Sequence, residues 1–119
     1  MKLNDILKDT QEQLKRFDCI PKSSAYREVQ ENLRNCEIVV DHILREKLKG
    51  YLYFTDVSEY FNQIIVRVDS GKPSIDDMDQ IDKYCKDFKQ LFLENNININ
   101  ITFLLGNVKK DKYYYITTY

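Results

Sequence analysis

The chain reads as one α+β domain, with an N-terminal antiparallel helical hairpin (1–49) followed by a β-β-α-β-β unit (50–119). Three patterns predict it. Between Ser74 and Asn96, Ile75, Met78, Ile81 (or Asp82), Cys85, Phe88 and Phe92 recur at helical spacing and draw one apolar stripe. From Asn96 onward, Ile97, Ile99, Ile101, Phe103 and Leu105 alternate with Asn98, Asn100 and Thr102, a period of two that gives a strand one dry face. Upstream, Tyr26, Val29, Leu33, Cys36, Val40 and Ile43 are spaced three, four, three, four, three, which is the seam of a paired helix.

In chain order, Asn4 to Phe17 is a first helix, with Leu3, Leu7, Leu14 and Phe17 along a narrow face. Pro21 ends the following segment as a breaker, because it pushes Ile20 away from helical geometry. The second helix runs from about Ser24 to Lys49 and stops at Gly50. Its stripe is narrow at first and is then widened by Ile38, Val39, Leu44 and Leu48. At about 1.5 Å per residue the first helix reaches only half the length of the second. The wide half therefore needs another cover: the sheet, which is the expectation, or a second subunit in a helix-mediated homodimer.

Tyr51 to Thr55 is a first strand, with Tyr51, Tyr53 and Thr55 on one face and Leu52 and Phe54 on the other. Asp56 to Glu59 reads as a turn. Tyr60 to Asp69 is a second strand with Ile64, Val66 and Val68 inward, and Gln63, Arg67 and Asp69 outward with Phe61 and Ile65. Ser74 caps the central helix, Asp76 and Asp77 suit its positive end, and Asn95 and Asn96 end it. Gly106-Asn107 opens a turn through Asp111, and Lys112 to Tyr119 returns as the last strand. Two hairpins joined by a helix predict a four-stranded, mainly antiparallel sheet with one long helix on a face. The last strand is expected to slot between the second and third; a parallel pairing of those two is the other arrangement.

With 119 residues, 43% of them hydrophobic and 31% charged, the chain suits one globular domain. A net charge of −1 supplies no general field for nucleic acid or an anionic membrane, and no apolar run approaches a membrane span. Cys19, Cys36 and Cys85 are odd in number and widely spaced, so they form no disulfide framework. Together with the absence of a secretory h-region, they place the chain in the cytoplasm. Abundant Ile, Asn, Lys and Tyr with no Trp have the look of an AT-rich genome, such as that of a low-G+C bacterium or its phage.

No cofactor motif is present. Asp69-Ser70-Gly71-Lys72-Pro73-Ser74 is superficially like a phosphate loop, but it lacks the upstream glycine, and Pro73 removes a donor where a phosphate would need one. The acids Asp69, Asp76, Asp77, Asp79 and Asp82 do not follow a calcium-loop pattern. His42, the single histidine, is flanked by Asp41, with Arg45 and Glu46 nearby, and falls beside its helix stripe at the solvent edge. Acid-base work would need it in a cleft beside a substrate-positioning group, and no serine or cysteine lies in a nucleophile motif. The reading is therefore a non-enzyme. Its candidate partner-binding residues are Lys109, Lys110, Lys112, Tyr113, Tyr115 and Tyr119, where amphipathic rings stand beside lysines. The expected function is protein-protein binding by a small non-catalytic protein of inhibitor, immunity or adaptor type. The rival is a nucleic-acid-binding regulator that uses the same Lys/Tyr hairpin.

Overall fold

Ser74 and Asp77 begin the helix of residues 75–94 by capping each other. The Asp77 N–H donates to Ser74 Oγ at 3.1 Å, and the Ser74 N–H donates to Asp77 Oδ2 at 3.3 Å. The computed structural model describes residues 12–16 and 26–119. Its elements are α1 (Tyr26–Lys47), β1 (Leu52–Ser58), β2 (Gln63–Asp69), α2 (Ile75–Glu94), β3 (Asn100–Asn107) and β4 (Lys112–Thr118). Residues 12–16 are helical and bury Leu14. The rest of the first predicted helix, and with it the helical hairpin and Cys19, lies outside the described residues.

The ending of α2 follows from its asparagines. Asn95 is the cap, and Asn96 takes the left-handed φ of 60°, which lets the Ile97 N–H return to the Phe92 carbonyl at 2.7 Å. The inner face of α2 buries Ile81, Tyr84, Cys85, Phe88, Leu91 and Phe92. Ile75, read from spacing as the start of that stripe, is 72% exposed, so the buried face begins at Ile81.

The sheet is mixed rather than mainly antiparallel. Its order is β1-β2-β3-β4, with β1/β2 and β3/β4 antiparallel and β2/β3 parallel. The expected insertion of the last strand between β2 and β3 does not occur, for a physical reason. β3 carries apolar or paired side chains on both phases, and Ile101, Thr102, Phe103, Leu105 and Gly106 are all buried, the signature of a central strand. β4 alternates between half-buried and exposed, which suits an edge. In the parallel register Ile64 meets Ile101, Val66 meets Phe103 and Val68 meets Leu105, so the two driest strand faces lie side by side.

Both helices cover that same face. The buried cluster joins Leu33, Cys36, Val39, Val40, Ile43, Leu44 and Leu48 of α1 and its end to the α2 stripe and to Ile64, Val66, Val68, Phe103 and Leu105. α1 packs on β1 and β2, and α2 packs on β3 and β4. The wide half of α1 is thus buried on the sheet within one chain, which removes the exposed stripe that a helix-mediated homodimer would have needed. Ile38 departs from the expected stripe and faces outward. Ile97, Ile99 and Ile101 are buried while Asn98 and Asn100 are exposed, as their alternation predicts.

The first hairpin turns three residues later than its sequence suggests. β1 continues through Ser58, Asn62 takes the left-handed φ of 49°, and Tyr60 and Phe61 stand at the tip instead of in β2. Their rings meet edge to face at 4.9 Å, with Tyr60 91% exposed. Asn62 explains the shift: it accepts the positive φ, its carbonyl receives the Asn100 N–H at 3.1 Å, and its side-chain amide donates to the Asn98 carbonyl.

Candidate functional site

Strand alternation gives the sheet a second face that no described helix crosses. Register partners spell out its rows. Phe54, Arg67, Leu104 and Ile116 lie in one line across all four strands. Leu52, Asp69, Gly106 and Tyr113 form the neighbouring line, and Asp56, Ile65, Thr102 and Thr118 form the line on the other side. Leu52, Phe54 and Ile116 are 53%, 47% and 61% exposed, while Arg67 and Leu104 are half-buried between them. An apolar row on an uncovered face is unusual, because folding leaves it in water at a cost in free energy.

The polar side of this face is closed on itself. The Gln63 amide donates to Thr102 Oγ1, and Thr102 and Thr118 share a hydrogen bond of 2.9 Å between their hydroxyls. The acids are also engaged. Asp56 Oδ1 accepts the Val57 N–H at 2.8 Å, and Asp69 Oδ1 accepts the Val108 N–H at 3.2 Å. Arg67, by contrast, makes no ion pair among the described residues; the ion pairs there are Arg34 with Glu59 and Arg45 with Asp41.

A bulge delivers Tyr113 to the same face. Leu105 pairs with Tyr115 and Gly106 with Tyr113, so Tyr114 is the extra residue. Gly106 permits it: a Cβ there would lie 2.2 Å from the Lys112 carbonyl oxygen and 2.6 Å from Tyr113 Cα. The Tyr113 hydroxyl is shielded from solvent near Asp111 and Arg67, without a partner at hydrogen-bonding distance. Burial, and then the Asp111 charge, push its phenol above the usual range.

The six residues singled out in the sequence do not converge. Lys109, Lys110 and Lys112 are exposed at the β3–β4 turn, and Tyr113 lies on the uncovered face. Tyr115 packs against the helix-covered core. Tyr119 turns to α2, where its hydroxyl donates to both oxygens of Asp82 at 3.2 and 3.1 Å, beside the Thr117 hydroxyl at 2.6 Å from the same carboxylate. That bond to Asp82, more than burial, raises its phenol pKa. Sequence reasoning put Arg67 on an outward face and grouped Leu52 with Phe54 on one face of their strand without assigning it to core or solvent, and it missed Leu104 and Ile116. The signal for Leu104 was present: Thr102-Phe103-Leu104-Leu105 is apolar on both phases from Phe103 onward, which marks a strand with two faces to account for.

The acidic residues do not form a site either. Asp69 holds the Val108 N–H, Asp77 caps α2 and Asp82 holds β4, each in a separate role. Among the described residues no group of three or more His, Cys, Asp or Glu side chains converges as metal ligands would. The N-terminus of α2 is occupied by its own capping box. Cys85 is fully buried, its Sγ donates to the Ile101 carbonyl at 3.3 Å, and burial pushes its thiol up to about 12, far from a nucleophile's range. His42 is exposed on α1. No described helix is long and apolar enough to cross a membrane. Compared with protein-family models, curated proteins and solved structures, the chain matches none of them.

Proposed function

We propose that this chain is a small non-catalytic protein that acts in the cytoplasm by binding another protein, and that the uncovered sheet face is its docking surface. The observation that carries this reading is the row Phe54, Arg67, Leu104 and Ile116, in which apolar side chains stay in solvent although the other sheet face is packed under the two helices, with Ile64, Val66, Ile101 and Phe103 fully buried. Protein interfaces draw on such surfaces: an apolar centre, an arginine and tyrosine beside it, and a polar rim. Inhibitor, immunity and adaptor proteins work in this way without a catalytic group. Phe54→Asp combined with Ile116→Asp should leave the circular dichroism spectrum unchanged and abolish nuclease-resistant capture of a partner from a low-G+C bacterial lysate. Capture that survives the double substitution would place the docking surface elsewhere.

A nucleic-acid-binding regulator is the rival reading. In its favour, Lys109, Lys110 and Lys112 are exposed next to Tyr113. Against it, Tyr115 and Tyr119 face α2, so the hairpin offers bases no continuous stacking surface. Fluorescence anisotropy with single-stranded DNA and RNA at low salt separates the two readings. Tight, salt-steep binding that is lost on replacing the three lysines with glutamine would favour nucleic acid.

A further inference from the structure

The docking reading leaves open what chemistry the partner presents, and the charges on the uncovered face narrow it. Three ionised side chains stand in the rows of this face, Asp56, Arg67 and Asp69, and at its edge the Asp111 carboxylate lies near the Tyr113 phenol. The carboxylates of Asp56 and Asp69 each hold a backbone N–H of their own chain, Val57 and Val108 respectively. Arg67 holds no carboxylate among the described residues and sits between Phe54 and Leu104 in the apolar row. It is half-buried among hydrocarbon neighbours with the Tyr113 phenol alongside, and its planar fork carries five N–H donors. A flat partner that covered this row without an acceptor would strip water from a guanidinium and return nothing. A basic partner would be repelled by Arg67 and by the nearby lysines of the β3–β4 turn.

We infer that the uncovered sheet face takes a protein segment presenting one carboxylate among apolar side chains, and that Arg67 receives the carboxylate in a bidentate pair. This rests on the reading of that face as the docking surface. Leu52, Phe54, Leu104 and Ile116 supply the apolar surround, and charge complementarity selects the partner at the centre. A phosphate chain would also meet Arg67, but the aromatic side chains of this face, Phe54 on β1 and Tyr113 on β4, lie on opposite edge strands with β2 and β3 between them, so bases find no continuous stacking platform. Paired face to face, a second copy would offer Arg67 the carboxylates of Asp56 and Asp69, each of which already accepts a backbone N–H of its own chain.

The test is a titration of the isotopically labelled chain, followed by backbone amide shifts. The probes are an end-blocked synthetic peptide alternating leucine and threonine around one central glutamate, and two copies with glutamine or lysine at that centre. The glutamate peptide should shift Phe54, Arg67, Leu104 and Ile116 and bind about tenfold more tightly than the glutamine peptide, with the lysine peptide weakest. Arg67→Gln should erase that preference while Phe54→Asp weakens all three. Shifts on this face that are equal for all three peptides would overturn the carboxylate inference and leave the docking reading standing. Shifts confined to another surface, or no binding by any peptide, would overturn the inference. Light scattering from the free chain that showed a dimer broken by Phe54→Asp would overturn it in favour of a second copy.

Discussion

The two faces of the sheet are made by the same four strands and have opposite fates. On the helix-covered face, Ile64, Val66, Ile101 and Phe103 are fully buried, and even the polar atoms there have partners in the helices: the Tyr53 hydroxyl donates to the Asp41 carbonyl at 3.1 Å, and Thr117 donates to Asp82. On the uncovered face, strands of equal regularity hold Phe54 and Ile116 in water. Strand propensity does not distinguish the faces, since β-branched and aromatic residues occur on both. The difference is that the described helices cover one face and not the other. Apolar surface that folding does not use is available for binding, and this is the physical content of the functional proposal.

The comparison breaks most visibly in the core. Phe103→Ala should cost about 3–5 kcal/mol, through lost burial and the cavity left under α2, whereas Phe54→Ala should cost less than about 1 kcal/mol. Urea melts of the two variants measure the contrast, and equal losses would mean that the uncovered face is covered in solution. Next in size is Gly106→Ala. The added methyl collides with the Lys112 carbonyl and the Tyr113 backbone, so about 1–3 kcal/mol should be lost. Amide exchange should show the loss as weaker protection in the β3–β4 hairpin, with α2 retained.

A third measurement uses pH to sharpen the difference. The Cys85 thiol is raised from 9.0 to about 12, with burial the largest cause, so the folded state holds its proton where the unfolded chain has released it. That contribution is fully present below pH 9 and fades between pH 9 and 12, at up to about 1.4 kcal/mol per pH unit. Tyr53, also pushed to about 12 by burial, acts in the same direction above pH 10. Thermal melts should therefore fall through the alkaline range, and a Cys85→Ala variant should fall less steeply. A thiol reagent at pH 8 should leave Cys85 unmodified until the chain is unfolded. The smallest effect is expected from Ile116→Thr on the open face, within about 0.5 kcal/mol of the parent, with a gain in solubility at high concentration.

Much of this arrangement was legible in the residues, and the part that was not has a common cause. The extent of α2, its cap at Ser74 and its stop at Asn96 follow from local chemistry, as does the burial of Ile97, Ile99 and Ile101. Strand order does not, because pairing depends on which strands tolerate burial on both sides. That information lies in comparing β3 with β4 and in neither alone. The turn at Tyr60-Phe61 was misplaced because Asp56-Val57-Ser58-Glu59 has better turn composition, whereas the observed turn depends on what Asn62 bonds across the sheet, to Asn98 and Asn100. The candidate site was split for the same reason. Lysines and tyrosines adjacent in sequence alternate between opposite faces, while Phe54, Arg67, Leu104 and Ile116 become neighbours only through register.

The parallel pairing at the centre of the sheet also sets the order in which the chain can assemble. Each hairpin closes over a short stretch, and α2 can start from its own cap. The pairing of β2 with β3, by contrast, joins residues such as Gln63 and Thr102, 39 positions apart. Its loop-closure entropy must be met before those contacts stabilise anything. Until then β3, the most buried strand in the molecule, is an unpaired edge on one side. The helix that precedes it is the nearest shield, so a variant that weakens α2 should aggregate during refolding well before it loses its native state at equilibrium.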